Sequence, residues 1–142
     1  MSKKTFTVFL SFVALVLLVS SGHGQSSKKT ITLPNGDVVC DLNGVWDSLR
    51  EPYGSWSEYE GHKDVLKITQ KGAVFVGVKL EGKYVSKGEE SIRGEFTKGG
   101  FKKVQVLTMM EGYLDCTGKI SEDGNKIILD ASDKLTVTLT RR

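Results

Sequence analysis

The sequence predicts an all-β protein, built as an antiparallel, up-and-down meander of about eight strands that closes into a barrel. Three observations predict this fold. Apolar and polar residues alternate after residue 40, which is the period of a strand with one buried face. Glycine-containing turns interrupt the alternation at intervals of about 8–12 residues, as they do in sandwiches and barrels. The connections are mostly short, and eight strands joined by hairpins can curl until the last pairs with the first.

The first four predicted strands begin at residue 40. Residues that share one face of a strand recur at spacing two: Leu42, Gly44 and Trp46, then Leu66, Ile68 and Gln70, then Val74, Val76, Val78 and Leu80, then Ile92, Gly94 and Phe96. Lys71-Gly72 predicts the tight turn between the second and third strands. The positions predicted to face outward carry charged side chains, namely Lys67, Lys79, Arg93 and Glu95. These charges argue against a barrel in a lipid bilayer, whose outer surface is apolar.

Four further strands complete the predicted meander. They are expected at residues 101–110, 114–120, 127–129 and 135–140. The pair Asp123-Gly124 lies between two alternating runs and is a strong hairpin signal. Residues 51–64 form the one long connection without periodicity in this region.

The first 24 residues predict a secretory signal peptide. Lys3 and Lys4 supply positive charge, residues 8–19 are apolar apart from Ser11, and small residues follow up to Gly24. A retained membrane anchor is the alternative, but an apolar run of about 12 residues is shorter than the ~20 that cross a bilayer as a helix. We therefore predict an exported protein, periplasmic or extracellular, that does not insert into a membrane after cleavage.

Two segments follow the predicted signal peptide: a polar N-terminal tail or edge segment, residues 25–39, and the β-barrel domain, residues 40–142. The whole sequence has 20 Lys and Arg against 17 Asp and Glu, a net charge of +3. Lys3 and Lys4 supply two of these positive charges and no acidic residue precedes Asp37, so residues 25–142 carry a net charge of +1. A nucleic-acid partner is not expected, because such proteins carry a strongly basic surface.

The two cysteines, Cys40 and Cys116, are predicted to form a disulfide. Export places them in an oxidising compartment, where a disulfide persists, and they are the one possible intrachain pair. The bridge would stabilise the protein by roughly 4 kcal/mol in the chain-entropy model. The alternative is a pair of buried, unreactive thiols.

The opening strand, Cys40–Trp46, resembles that of the calycin group of barrels, which comprises the lipocalins, the fatty-acid-binding proteins and the avidins. In those proteins a Gly-x-Trp places an indole across the closed end, so the resemblance implies structural roles for Gly44 and Trp46. The pattern C-x-L-x-G-x-W is most similar to avidins, in some of which an early Cys bonds one late in the chain. Biotin is not implied, because the biotin pocket of avidins needs tryptophans from later strands and no Trp follows Trp56.

No motif predicts a catalytic site or a cofactor. His62 is the only histidine beyond the signal peptide, so a Ser-His-acid triad would have to use it. No nucleophile elbow frames the serines that such a triad would need: Ser48, Ser55 and Ser57. The glycines match neither a phosphate loop nor a dinucleotide fingerprint. We expect that the protein is not an enzyme.

No metal site is predicted either, although one pattern offers an alternative. Four residues with oxygen or imidazole ligands follow one another at spacing two: Glu58, Glu60, His62 and Asp64. In an extended segment they would share a face and present ligands to a cation. We favour a polar loop that leads into a strand.

Ligand-binding residues are predicted on the long connection between the first and second strands, where calycin barrels carry a lid over the open end. Tyr53, Trp56 and Tyr59 offer flat contact area with a polar handle. Met109, near the turn after the fifth strand, adds adaptable apolar surface. The alternative is that the aromatic residues pack the connection onto the barrel as a plug.

We therefore expect an exported, non-enzymatic binding protein that holds a small, partly apolar ligand in a β-barrel. The alternative is a protein-interaction module, such as an inhibitor of an extracellular hydrolase, in which residues 53–56 would project outward. A hydrolase that depends on His62 is a third hypothesis. The partner is accordingly a small molecule or an extracytoplasmic protein.

Overall fold

The computed structural model describes residues 28–84 and 86–142. The predicted signal peptide, residues 1–24, and the first residues of the predicted tail lie outside this range. Within the described range, no helix is long and apolar enough to cross a membrane.

The described chain consists of ten strands and one short 3-10 helix, Gly54–Trp56. The strands are β1 (Thr30–Thr32), β2 (Val38–Cys40), β3 (Gly44–Pro52), β4 (His62–Lys71), β5 (Val74–Glu81), β6 (Glu90–Thr97), β7 (Gly100–Thr108), β8 (Gly112–Ile120), β9 (Lys126–Ala131) and β10 (Leu135–Arg141). Strands β3 to β10 form a closed antiparallel barrel in which each strand pairs with the next and β10 pairs with β3. The predicted all-β fold, its eight-stranded meander and its closure are confirmed.

One end of the barrel, here called the closed end, is filled by apolar side chains. They come from seven of the eight strands, all except β8, and include Trp46, Leu66, Ile68, Phe75, Ile92, Val104, Val106, Ile127, Leu129 and Leu139. The Trp46 indole is fully buried and donates a hydrogen bond to the Leu42 carbonyl at 3.0 Å. The Arg141 guanidinium stacks on this indole, 4.3 Å from the ring centroid. Gly44 lies beside it with φ of +135°, a conformation that favours glycine.

Strands β1 and β2 form a separate hairpin that packs against the closed end. Leu33 of its turn and Val39 of β2 are buried in the same core as the barrel residues. Next to the hairpin, the Leu42 amide donates to the Gln70 side-chain oxygen at 2.7 Å, which joins the end of the hairpin to β4. This end of the barrel is therefore covered by the chain itself.

The predicted Cys40–Cys116 disulfide is wrong, because both thiols are free. Cys40 ends β2 in the hairpin, where its Sγ lies 3.8 Å from the Asp41 carbonyl oxygen. Cys116 lies in the middle of β8 and donates to the Leu114 carbonyl at 3.5 Å. Each thiol thus contacts its own neighbours, and the loop that a disulfide would have closed is instead fixed by the barrel.

The predicted outward position of Lys79 is also wrong, since this side chain is fully buried. Strand β5 turns Phe75 and Gly77 inward: Phe75 packs edge-on against Phe101, and Gly77 leaves room for Ile92. Because side chains two residues apart share one face of a strand, Lys79 also points into the interior. Asp64 of β4 meets it there, with 2.8 Å between the Lys79 Nζ and a carboxylate oxygen.

Candidate functional site

The opposite end of the barrel holds a pocket of about 340 Å³. We call it the mouth pocket, because the connections that follow β3, β5, β7 and β9 surround it. Most of its lining is apolar or aromatic. The lining residues are Arg50, Pro52, Trp56, Tyr59, Glu60, His62, Tyr84, Leu107, Thr108, Met109, Met110 and Leu135.

The connection between β3 and β4 forms one wall of the mouth pocket. It is held against the β9–β10 turn by Tyr53, whose hydroxyl donates to Asp130 at 2.8 Å and accepts from the Asp133 amide at 2.9 Å. Gly54 lies directly against Asp133 with φ of +56°, so that a side chain at this position would overlap Asp133. The short helix that follows brings Trp56 back over the barrel.

Trp56 is 7% exposed and packs edge-on against Tyr59, with 6.0 Å between the ring centroids. The Lys134 ammonium lies over the indole at 5.7 Å from its centroid. Tyr59 itself is half exposed at the rim of the pocket. The connection is therefore a packed wall with an aromatic surface toward the pocket.

Four ionisable side chains lie on the inner faces of β3, β4 and β5 at the base of the mouth pocket. We call Arg50, His62, Asp64 and Lys79 the charged cluster. The Asp64 carboxylate is at its centre, with Lys79 Nζ at 2.8 Å, His62 Nε2 at 3.2 Å and Arg50 Nε at 3.6 Å. Asp64 and Lys79 are fully buried, whereas Arg50 and His62 also line the pocket.

Burial and the neighbouring charges shift two pKa values in the charged cluster. Burial lowers the pKa of His62 from its ordinary value, and the Asp64 carboxylate opposes this effect. Burial likewise lowers the pKa of Arg50, again against the attraction of Asp64. A guanidinium nevertheless stays protonated in proteins, so Arg50 keeps its positive charge.

The backbone around the charged cluster is adapted to its side chains. The register between β4 and β5 shifts at Val65/Leu66, next to Asp64. Gly82, just after β5, has φ of +147°, and a side chain there would overlap the Asp64 carboxylate and the end of Lys79. Gly82 thus gives Asp64 and Lys79 the space in which they pair.

Arg50 keeps donors without acceptors although its side chain is 5% exposed. It donates to the Leu107 carbonyl and to the Ser91 hydroxyl, each at 2.8 Å. Its Nε makes no hydrogen bond. A guanidinium has five N–H donors; two of them make these hydrogen bonds, and the Nε lies 3.6 Å from the Asp64 carboxylate. Buried donors of this kind are normally satisfied by protein, water or ligand.

Three of the four predicted ligand-binding residues line the mouth pocket: Trp56, Tyr59 and Met109. Tyr53 does not, since its hydroxyl is held on the outside of the barrel by Asp130 and Asp133. Sequence reasoning missed Arg50, His62 and Thr108 as pocket residues. The period of two could have found Arg50, because it follows Trp46 and Ser48 on the inward face of one strand.

The two alternatives based on residues 58–64 find no support in the geometry of the described residues. Among them, no group of three or more His, Cys, Asp or Glu is arranged to hold a metal ion. Glu58 and Glu60 precede β4 and are exposed, whereas His62 and Asp64 face the interior. The Ser48 hydroxyl makes no hydrogen bond and thus does not donate to His62 as a triad serine would.

No protein-family model, curated protein or solved structure matches this chain. The closed antiparallel barrel of eight strands is consistent with the calycin-like architecture that the Cys40–Trp46 pattern implies. A functional hypothesis therefore has to rest on the mouth pocket and on the charged cluster beneath it.

Proposed function

We propose that the protein is a non-enzymatic binding protein that holds one small, partly apolar molecule in the mouth pocket. The observation that carries this proposal is an apolar pocket of about 340 Å³ with a polar base, within the range of about 300–1,000 Å³ usual for small-molecule sites. The apolar walls would stabilise the complex by roughly 25 cal/mol per Å² of apolar surface buried. The charged cluster would fix the orientation of the ligand.

The resemblance of Cys40–Trp46 to the calycin group supports the same role. A lipocalin-like protein closes one end of its barrel and binds its ligand at the other, and here the filled end lies around Trp46. The apolar run of residues 8–19 supports a location outside the cytoplasm, periplasmic or extracellular.

The position of Trp56 disfavours the alternative of a protein-interaction module. In that alternative, residues 53–56 project outward and Trp56 is the contact residue. Trp56 is instead buried against Tyr59 and Lys134. We therefore retain one candidate function.

The two tryptophans allow the position of the ligand to be tested, because Trp46 lies at the closed end and Trp56 lines the mouth pocket. We would titrate Trp46→Phe and Trp56→Phe with octanoate and with octanol and follow fluorescence. In Trp46→Phe the remaining Trp56 should give a saturable change with at least one probe. In Trp56→Phe the remaining Trp46 should stay nearly silent. A response from Trp46 alone, or none to either probe, would contradict the proposal.

A further inference from the structure

We propose that the mouth pocket selects an anionic ligand, whose negative group lies against Arg50 and His62 while its apolar part faces Trp56 and Met109. This inference rests on the proposed function and deepens it. The ligand class is a small monocarboxylate, or a similar monoanion, with an apolar remainder. Three features of the mouth pocket support this ligand class: the charge at its base, the N–H donors of Arg50 and the apolar character of its walls.

The charged cluster carries an excess positive charge. Arg50 and Lys79 contribute two positive charges, and within residues 28–84 and 86–142 Asp64 is the one acidic residue that forms ion pairs with them. The residues of this sequence that lie outside the described range, 1–27 and Val85, include no acidic side chain. The cluster therefore has a formal charge of +1 when His62 is neutral.

The acidic residues at the rim of the mouth pocket do not compensate for this charge. Glu60 lies 3.8 Å from the Lys83 ammonium, and its side chain is 78% exposed. Glu111 forms an ion pair with Lys134. Each rim carboxylate thus has its own lysine and is exposed to solvent. A ligand with a negative group would supply the charge that these carboxylates do not.

Arg50 offers the donors that an anion needs. Its side chain lines the pocket, and each of its two terminal nitrogens carries two N–H groups but makes one hydrogen bond, to Leu107 or to Ser91. A carboxylate accepts two parallel N–H donors from a guanidinium, a bond that is shorter and stronger than one between neutral groups. Asp64 lies 3.6 Å from Arg50 Nε and 2.8 Å from Lys79 Nζ, so it balances one of these two positive charges, and an anion in the pocket would balance the other.

The walls of the pocket above Arg50 favour a ligand whose uncharged part is apolar. Trp56, Leu107, Met109 and Leu135 present apolar surface between the charged cluster and the rim. A fully hydrophilic anion would leave this surface in contact with water. An anion with an apolar part covers it, and one negative charge matches the excess of one positive charge.

The test compares three probes of equal chain length and different charge: octanoate, octanol and octylammonium. Isothermal titration calorimetry on the wild-type protein should give an affinity for octanoate at least tenfold above that for octanol, with octylammonium weakest. Arg50→Met should reduce the preference for octanoate over octanol to less than threefold. Arg93→Met is the matched control, because Arg93 lies on the outer face over the Tyr113 ring and does not line the mouth pocket. This variant should keep the wild-type preference for octanoate over octanol.

The outcomes separate the two proposals. Equal affinity for octanol and octanoate, or a full preference for octanoate in Arg50→Met, would overturn the anion inference and leave the pocket proposal standing. Binding of none of the three probes would overturn both. If circular dichroism shows that Arg50→Met does not fold, Arg50→Lys replaces it. This variant keeps the positive charge but loses the fork of donors. The anion inference then requires that the wild-type protein prefers octanoate and that Arg50→Lys reduces this preference.

Discussion

Asp64 is the central residue of the charged cluster in the open half of the barrel. Its carboxylate is fully buried and lies within 3.6 Å of a nitrogen of each of the three other members of the charged cluster. Breaking a buried ion pair by removing one partner typically costs about 3–5 kcal/mol, because the remaining charge is left without compensation. This single side chain therefore connects the stability of the fold to the polar base of the mouth pocket.

His62 should make the stability of the protein depend on pH. Burial lowers its pKa in the folded state, whereas the unfolded chain has the ordinary value of about 6.5. The unfolded state then binds the proton more readily. The free energy of unfolding should have its full value above about pH 6.5 and fall as the pH drops through the folded-state pKa. Urea denaturation at a series of pH values between about 8 and about 5 measures this decrease in the free energy of unfolding.

His62→Gln is the control for this prediction, because glutamine keeps a polar side chain but does not titrate. Its unfolding free energy should change less with pH over this interval than that of the wild-type protein. Identical pH profiles for the two proteins would contradict a role for His62. An increase in the unfolding free energy of the wild-type protein as the pH falls below about 6.5 would be opposite to the predicted change and would contradict it.

Single residues are also where sequence reasoning failed most clearly. A lysine is almost never fully buried unless it is paired, so the alternation in β5 predicts that its valines face inward and that Lys79 faces outward. The partner Asp64 lies on the neighbouring strand, and the register of β4 and β5 shifts between Val65 and Leu66. The pairing of Asp64 with Lys79 depends on this register, which the sequence does not specify.

At the level of elements, the strands and turns were largely predictable because their signals are local. Lys71-Gly72 and Asp123-Gly124 both form turns between paired strands, with positive φ at the glycine. The β3–β4 connection was predicted only as a long segment rich in aromatic residues. Its course depends on two hydrogen bonds with the β9–β10 turn, about 80 residues away in the sequence: the Ser55 hydroxyl donates to the Asp133 carbonyl, and the Tyr53 hydroxyl accepts from the Asp133 amide.

Gly54→Ala should loosen this connection. A side chain at position 54 would overlap Asp133, and the backbone there has a positive φ. Gly88→Ala is the matched control, since Gly88 also has a positive φ but has open space around it. Both variants share the backbone strain, and only Gly54→Ala adds the steric overlap. Its loss of unfolding free energy should exceed that of Gly88→Ala by about 1–3 kcal/mol in urea denaturation.

The same pair of variants should differ in ligand affinity. Gly54→Ala displaces the wall that carries Trp56 and Tyr59, so its affinity for octanoate should fall several-fold, whereas Gly88→Ala should bind as the wild-type protein does. Equal stability and equal affinity of the two variants would show that the contact between Gly54 and Asp133 does not hold the connection in place.

For the whole molecule, closure of the barrel takes the place of the predicted disulfide. Strand β10 pairs with β3 over seven residue pairs, from Leu135 with Pro52 to Arg141 with Trp46. This pairing joins the two ends of the barrel sequence and removes both sheet edges. The fold could be predicted from the sequence because it follows from repeated local patterns. The state of the cysteines could not, since it depends on where the hairpin lies relative to β8.

Thiol titration tests the free state of Cys40 and Cys116. Burial raises the pKa of both thiols, that of Cys116 to about 11, so little reactive thiolate forms at neutral pH. The folded protein should react slowly with a thiol reagent. In denaturant without reductant, both cysteines should react, and a reductant should leave the urea midpoint unchanged. Protection of both thiols in denaturant until reductant is added would show that the disulfide forms.

The hairpin β1–β2 covers the closed end, so a ligand has to enter and leave the barrel at the mouth. With that end covered by Leu33 and Val39 and the barrel closed by β10 against β3, the mouth is the route of exchange that the described chain leaves open. An anion that reaches Arg50 must enter with its charged group first and leave with its apolar part first. A membrane or protein that delivers or receives such a molecule would therefore meet the apolar part at Met109, which is 74% exposed, before the charged group is released.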